Sequence, residues 1–259
     1  MTQTPDDRRE WLQVADSIVS GYHRRQYGEP NRSTVMFCDW METIGLLERD
    51  RPQAILDIGA GLGANINYMA HRFPHSRFLG VELNPHLAAA AAEALTRSGA
   101  TNGRMEQGDL YALGTDHRRA FDGVVSYMLL SWLPDFAEPL ACMAALRPKW
   151  IAMTSLFYDG PVNTIIRTQD YTLPIGGSPH RESYYNIYSL PVIRQRLSSL
   201  GYGGFTSIPF EIDIDLERPE DGGMRSFTQR MEDGRRLQFG GPVHLSWHFV
   251  AATRDDNGG

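Results

Sequence analysis

Cysteine is scarce in this chain: its 259 residues include only two, Cys38 and Cys142. They stand far apart in apolar, helix-like surroundings. A disulfide framework is therefore excluded, and both read as buried thiols of a protein from a reducing compartment. A chain of this length can bury a sizeable core without such staples. Cationic charge is also short, with 25 Lys and Arg against 31 Asp and Glu and a formal net charge of −6. Nucleic-acid binding normally requires a basic face that displaces phosphate counterions. The arginine pairs Arg8-Arg9, Arg24-Arg25, Arg118-Arg119 and Arg235-Arg236 are scattered along an acidic chain and read as solvated surface, so tRNA and DNA are disfavoured as substrates. No apolar run approaches bilayer-spanning length, and residues 1–9 contain no apolar signal core. These features point to a cytoplasmic protein with no membrane partner. His/Cys metal spacing, a serine-nucleophile elbow and a phosphate-loop lysine are missing as well, so no metal site is expected.

What is present centres on residues 54–63, Ala-Ile-Leu-Asp-Ile-Gly-Ala-Gly-Leu-Gly. A short apolar run bounded by Pro52 reads as a buried parallel strand. Gly59, Gly61 and Gly63 then allow a tight turn and a close approach of backbone N–H groups to a ligand. A helix from Ala64 points its N-terminus back at that turn, an arrangement suited to a nucleotide-type cofactor. The loop alone also fits a dinucleotide fingerprint, Gly59-x-Gly61-x-x-Ala64. Asp57 argues against that reading, because a charge there would sit badly beneath a pyrophosphate.

The surrounding segments form a set. Arg77–Leu83 reads as a second strand ending in Glu82, whose carboxylate can accept hydrogen bonds from a ribose diol. Arg104–Leu110 brings Asp109 to where an adenine amino group could be held, and Phe121–Tyr127 is a fourth strand. Together the Asp57–Gly63 loop, Glu82, the Gly108-Asp109-Leu110 turn and the strand opening Phe121-Asp122 resemble the class I S-adenosylmethionine-dependent methyltransferases, over roughly residues 50–157. The resemblance implies a Rossmann-like, doubly wound, mostly parallel seven-stranded α/β sheet and S-adenosyl-L-methionine as cofactor. It implies cofactor contacts from Asp57, Gly59, Ala60, Gly61, Gly63, Glu82, Leu83, Asp109, Leu110 and Ser126. A polyamine synthase on the same scaffold fits less well, since Ser126-Tyr127-Met128-Leu129 lacks the acidic strand end expected for an aminopropyl acceptor.

Outside this core at 50–157, residues 1–49 read as a helical cap. Trp11, Val14, Ile18 and Val19 follow helix spacing, as do Phe37, Trp40, Met41 and Ile44, with Ser33 or Thr34 able to cap the second helix. The aromatic, arginine-bearing segment 22–34 is expected to lie over the cleft as a lid, with Arg32 on the cofactor carboxylate through its forked donors. Residues 158–188 form an insertion, and 189–255 complete the sheet around a β-rich insertion at about 209–243. There Phe210, Ile212, Ile214 and Leu216 alternate with Glu211, Asp213, Asp215 and Glu217, the pattern of a strand buried on one side. Asp233-Gly234 marks a hairpin. The last strand is read as His244–Ala252, placing His244 and His248 on one face.

Ligands in open parallel sheets bind at the carboxyl ends of strands, where strand order reverses. The acceptor is therefore expected against Tyr127, Trp132, Tyr158 and Tyr184, with His180 or His244 as base where a proton must leave. The acid face of 211–217 could attract a cationic amine or hold a divalent metal, although solvated carboxylates also protect a sheet edge. The expected activity is methyl transfer to O or N of a small molecule such as a sugar, amino-acid or natural-product intermediate. A non-catalytic cofactor-binding partner and an RNA or protein methyltransferase stay open as alternatives. Oligomeric state is open too, with a dimer one option.

Overall fold

The computed structural model describes residues 26–114, 117–174 and 177–255. The helix expected around Trp11–Val19 and the start of the 22–34 segment lie outside them. The first described helix of length, α1, is Arg32–Thr43. It is followed by β1 (Ala54–Ile58), α2 (Ala64–Arg72), β2 (Arg77–Glu82), α3 (Pro85–Ser98), β3 (Gly103–Gln107), β4 (Gly123–Tyr127), α4 (Ala137–Ala145) and β5 (Trp150–Tyr158). The strands align as β3-β2-β1-β4-β5, all parallel. Strand order therefore reverses between β1 and β4, the position where such sheets bind ligands.

The chain then forms the hairpin β6 (Arg167–Asp170) and β7 (Arg181–Tyr184), the short β8 (Tyr188–Ser189), α5 (Leu190–Ser199) and β9 (Gly204–Pro209). A three-stranded flap follows, β10 (Ser226–Arg230), β11 (Arg236–Gly240) and β12 (Val243–His244), and then β13 (Trp247–Thr253). Strand β13 inserts antiparallel between β5 and β9 and completes a seven-strand path, to which β8 adds a short pairing on β5. Among the described residues no helix is long and apolar enough to cross a membrane.

The central strands are apolar on both faces because helices cover both. On β13, Phe249 and Ala251 pack with Phe37 and Met41 of α1 and Met69 of α2. Val250 and Ala252 turn the other way, onto Leu140 of α4 and Ile193 of α5. Helix ends follow local chemistry. Asn84 accepts from the N–H groups of His86 and Leu87 ahead of Pro85, and Gly99 closes α3 at φ 77°. The N-cap of α1 is Asn31, not Ser33 or Thr34. Those two are buried in the first turn, where Thr34 Oγ1 donates to Asn65 Oδ1 at 2.8 Å. Cys38 is buried but Cys142 is only half-buried, and both are free thiols.

Two expectations about the C-terminal half are corrected. Residues 210–217 form no strand. Ile212 is buried but Ile214 is exposed, while Asp213 and Asp215 bind arginines rather than lining a strand face. His244 lies on β12 paired with β11, whereas His248 lies on β13, so they do not share a strand face. The Asp233-Gly234 hairpin is present as β10–β11, with Phe227 opposite Phe239 and their rings stacked at 5.5 Å.

A buried polar network ties the first insertion to the carboxyl end of β4. Asn186, fully buried, donates through Nδ2 to Leu133 O and Tyr188 Oη, both at 2.9 Å, and accepts from Ile166 N at 3.0 Å. Removing it leaves buried polar groups unsatisfied. Asn186→Ala is expected to destabilise the protein by about 1–3 kcal/mol, read as a lower urea midpoint with unchanged slope. A midpoint equal to wild type would show that the network contributes nothing.

Candidate functional site

The turn after β1 is built by conformations that L side chains rarely adopt. Gly59, Gly61 and Gly63 have φ of 74°, 54° and 78°, open to glycine at little cost. The turn is pinned to β2 by Gly59 N donating to Val81 O at 2.9 Å and Ala60 N donating to the same oxygen at 3.1 Å. A Cβ on Gly59 would meet the Leu129 side chain at 3.1 Å, so the turn after β4 abuts the loop. Gly63 is the N-cap of α2 and sets that helix's positive end toward the loop.

Two acids converge here. Asp57 is fully buried on β1, and neither carboxylate oxygen has a hydrogen-bond partner. Burial, and secondarily the nearby Glu82, hold its carboxyl well above the usual aspartate range. Glu82 ends β2. Its Oε2 accepts from Gly61 N and its Oε1 from Asn84 N, each at 2.9 Å. Burial raises the Glu82 carboxyl despite these backbone donors. Asp109 Oδ1 accepts from Tyr111 N at 3.0 Å and starts the 3-10 turn that buries Leu110. Gln107 Nε2 reaches Leu83 O at 3.5 Å. Ala60 is buried in the loop, and Ser126 is buried on β4 with its hydroxyl unpartnered.

The segment preceding α1 reaches the same loop. Tyr27 donates its hydroxyl to Leu62 O at 2.6 Å, and burial pushes that phenol up to about 12. Arg32 does not stand free for a ligand carboxylate. Its Nε and Nη2 grip both oxygens of Asp213 at 2.6–2.9 Å, tying α1 to the 210–217 segment. Asp215 is likewise held by Arg230 and Arg236, which keep its carboxyl below the usual range.

On the side expected to face an acceptor, Met128 has φ 55° immediately after β4, a costly conformation for a non-glycine residue. Its N–H is fixed by Thr154 O at 2.9 Å and Thr154 Oγ1 at 3.1 Å. Trp132 packs on Tyr185 with ring centroids 4.3 Å apart. Tyr158 is exposed at the end of β5, and Tyr184 sits on β7 opposite Arg167. Tyr127, expected beside the acceptor, is instead a core residue. Its ring meets Phe37 edge-on at 5.1 Å, and its hydroxyl lies 3.6 Å from Cys38 Sγ.

The histidines are dispersed. His180 packs against Tyr171, with Nε2 3.4 Å from Glu182 Oε1 in the β6–β7 hairpin. His244 packs on Phe239 in the flap, where burial lowers its imidazole. His248 is buried, with Nδ1 3.1 Å from Ser246 O. No cluster of His, Cys, Asp or Glu able to hold a metal occurs among the described residues. Tyr27 falls in the 22–34 segment expected over the cleft, whereas sequence reasoning missed Asn84 and Leu129. Only Asn84 had a legible signal, an Asn-Pro pair at a helix start.

Residues 55–149 match a family model described as a methyltransferase domain. A trans-aconitate 2-methyltransferase from Deinococcus radiodurans is 37% identical over 94 residues, 36% of this chain and 33% of its own. One from Streptomyces avermitilis is 31% identical over 104 residues, 40% of this chain and 38% of its own. The chain thus aligns with little more than a third of the length of these curated relatives. Among solved structures, a Haemonchus contortus phosphoethanolamine N-methyltransferase in complex with S-adenosylhomocysteine superposes with a TM-score of 0.61 at 13% identity. The match covers 96% of this chain and 60% of that one. It shows a shared fold.

A buried carboxyl raised by folding implies a pH signature. A carboxyl raised by folding favours the native state at low pH. That contribution is lost as pH climbs from the ordinary aspartate value of 3.8 through the raised native value. Asp57→Asn removes the titrating group, so it is expected to raise the melting temperature of the ligand-free protein by a few degrees near pH 7–8. The gain should shrink toward pH 4. A variant that melts lower than wild type throughout would show that the Asp57 carboxylate is satisfied in the native protein.

Proposed function

We propose, from the match of residues 55–149 to a methyltransferase domain, that the whole chain methylates O or N of a small-molecule acceptor. The cofactor of this domain is S-adenosyl-L-methionine, and the residues at the loop fit it. The observation that carries the fit is Asp57, a buried carboxyl with no partner. An unpartnered buried polar group is costly, and the cofactor's ammonium is a complementary ion. Glu82, already anchored by two backbone N–H groups, suits the ribose diol. Asp109 lies at the turn expected beside the adenine amino group, and the glycine turn lets the backbone come close without a Cβ.

When bound, the cofactor supplies a methyl group on a sulfonium, whose carbon–sulfur pair stays with sulfur as an acceptor lone pair forms the new bond. The chain's residues then have three tasks: orienting the acceptor, excluding water and accommodating the acceptor's departing proton. Positioning alone can account for about 7–11 kcal/mol of barrier lowering in favourable cases. Tyr27 at the loop and the Arg32–Asp213 pair, which joins α1 to the 210–217 segment, serve as the closure. His180 and His244 remain candidate bases for acceptors that need deprotonation. Small-molecule acceptors are favoured over nucleic acid by the net charge of −6 and by arginines already bound to acids. Two free thiols support a cytoplasmic setting. The relatives' acceptor is not carried over, since the alignments span only 36% and 40% of this chain.

Isothermal calorimetry tests this reading. S-adenosylhomocysteine is expected to bind, and Glu82→Ala to weaken it by about 10- to 100-fold through lost charged hydrogen bonds. Labelled cofactor with a cell extract should transfer label to a small molecule. Binding of a nicotinamide dinucleotide with no heat from S-adenosylhomocysteine would overturn the proposal.

A further inference from the structure

The carboxyl end of the sheet carries an apolar cluster that the cofactor does not need. Leu156 and Trp247, paired across β5 and β13, pack with Tyr185, Val243 and Leu245, and Met128 and Trp132 lie against them. The cluster adjoins the cofactor loop through a single turn. Leu129 abuts Gly59, while its neighbours Met128 and Trp132 face the cluster. Both insertions contribute, the first through Tyr185 and the second through Val243 and Leu245, so the parts of the chain outside the methyltransferase match converge here.

Its chemistry is one-sided. Of the arginines in the surrounding insertions, Arg167 pairs with Glu182, Arg225 with Asp221, Arg235 with Asp233, and Arg230 and Arg236 with Asp215, while Arg181 donates to Ser183 Oγ and Arg218 lies over the Phe227 ring. A polycarboxylate would have to enter this region without a counter-charge, at a large desolvation cost. One polar atom stands out. The indole Nε1 of Trp247, a residue only 5% exposed, has no hydrogen-bond partner, although buried indole N–H groups usually find one.

We propose that this cluster is the acceptor site, that the acceptor is uncharged and largely apolar, and that the Trp247 indole N–H donates to it. The aromatic rings of Trp132 and Tyr185 would lie along a planar body, and the insertions would part to admit it. Specificity then rests on two features of the cluster. An apolar wall rejects charge, and one donor rejects ligands that cannot accept a hydrogen bond. This inference rests on the methyltransferase reading and names the acceptor class for the same site.

The test uses the full chain saturated with S-adenosylhomocysteine, whose own binding is measured first. Failure of that step would reject the methyltransferase reading rather than this one. With the cofactor product in place, 2-naphthol serves as an uncharged planar probe and citrate as a tricarboxylate. Saturable binding of 2-naphthol, little binding of citrate, and an affinity for 2-naphthol about tenfold lower in Trp247→Phe are expected from the loss of one buried hydrogen bond. Trp132→Leu should also weaken 2-naphthol, and Trp247→Phe should keep wild-type affinity for S-adenosylhomocysteine. Citrate binding in preference to 2-naphthol, or Trp247→Phe binding 2-naphthol as wild type does, would overturn the assignment.

Discussion

The structure is organised around a carboxyl group placed where water cannot reach it. Asp57 sits on the central strand at the reversal of strand order, enclosed on both faces by helices and with both oxygens unpartnered. A group of this kind is a liability in a protein that folds for stability alone, because desolvation is uncompensated. It becomes intelligible when a cation arrives with the ligand. The glycine turn, the Glu82 hydrogen bonds to Gly61 and Asn84, and the Leu129 contact all fix the space around that one acid.

The same placement divides the molecule's labour. Residues 55–149, which match the methyltransferase domain, provide a rigid parallel sheet with a preformed turn. The segment before α1, the two insertions and the start of β13 bring Tyr27, Asp213, Tyr185 and Trp247 to the carboxyl side of that sheet. On the proposed reading, rigid elements carry the cofactor chemistry and loops carry selectivity, a division common where binding loops sit on a stable scaffold. The Arg32–Asp213 pair is exposed, so it adds little to stability; its importance is geometric, since it links regions 181 residues apart in the chain.

The parallel half was legible because its signals are local. Apolar runs, glycine punctuation and acids at strand ends survive in the sequence without knowledge of any partner. The failures have a common cause in long-range pairing. Along 210–217 the acids alternate with apolar residues, yet no strand forms, and the exposed Asp213 and Asp215 pair with Arg32, Arg230 and Arg236. Tyr127 was assigned to the acceptor because it ends a strand. Its register with Val125 puts it on the α1 face, in the core with Phe37, which the period of two would have indicated. No local pattern could bring Trp132 against Tyr185, 53 positions later, or leave the Trp247 indole without a partner.

The most direct measurement is a crystal structure of the protein with S-adenosylhomocysteine. The account predicts the ligand's amino group within hydrogen-bond distance, about 2.7–3.2 Å, of an Asp57 carboxylate oxygen. The ribose hydroxyls should lie on Glu82 and the sulfur should face the turn at Met128–Trp132. A ligand seated elsewhere, or one whose amino group leaves Asp57 unpartnered, would contradict it.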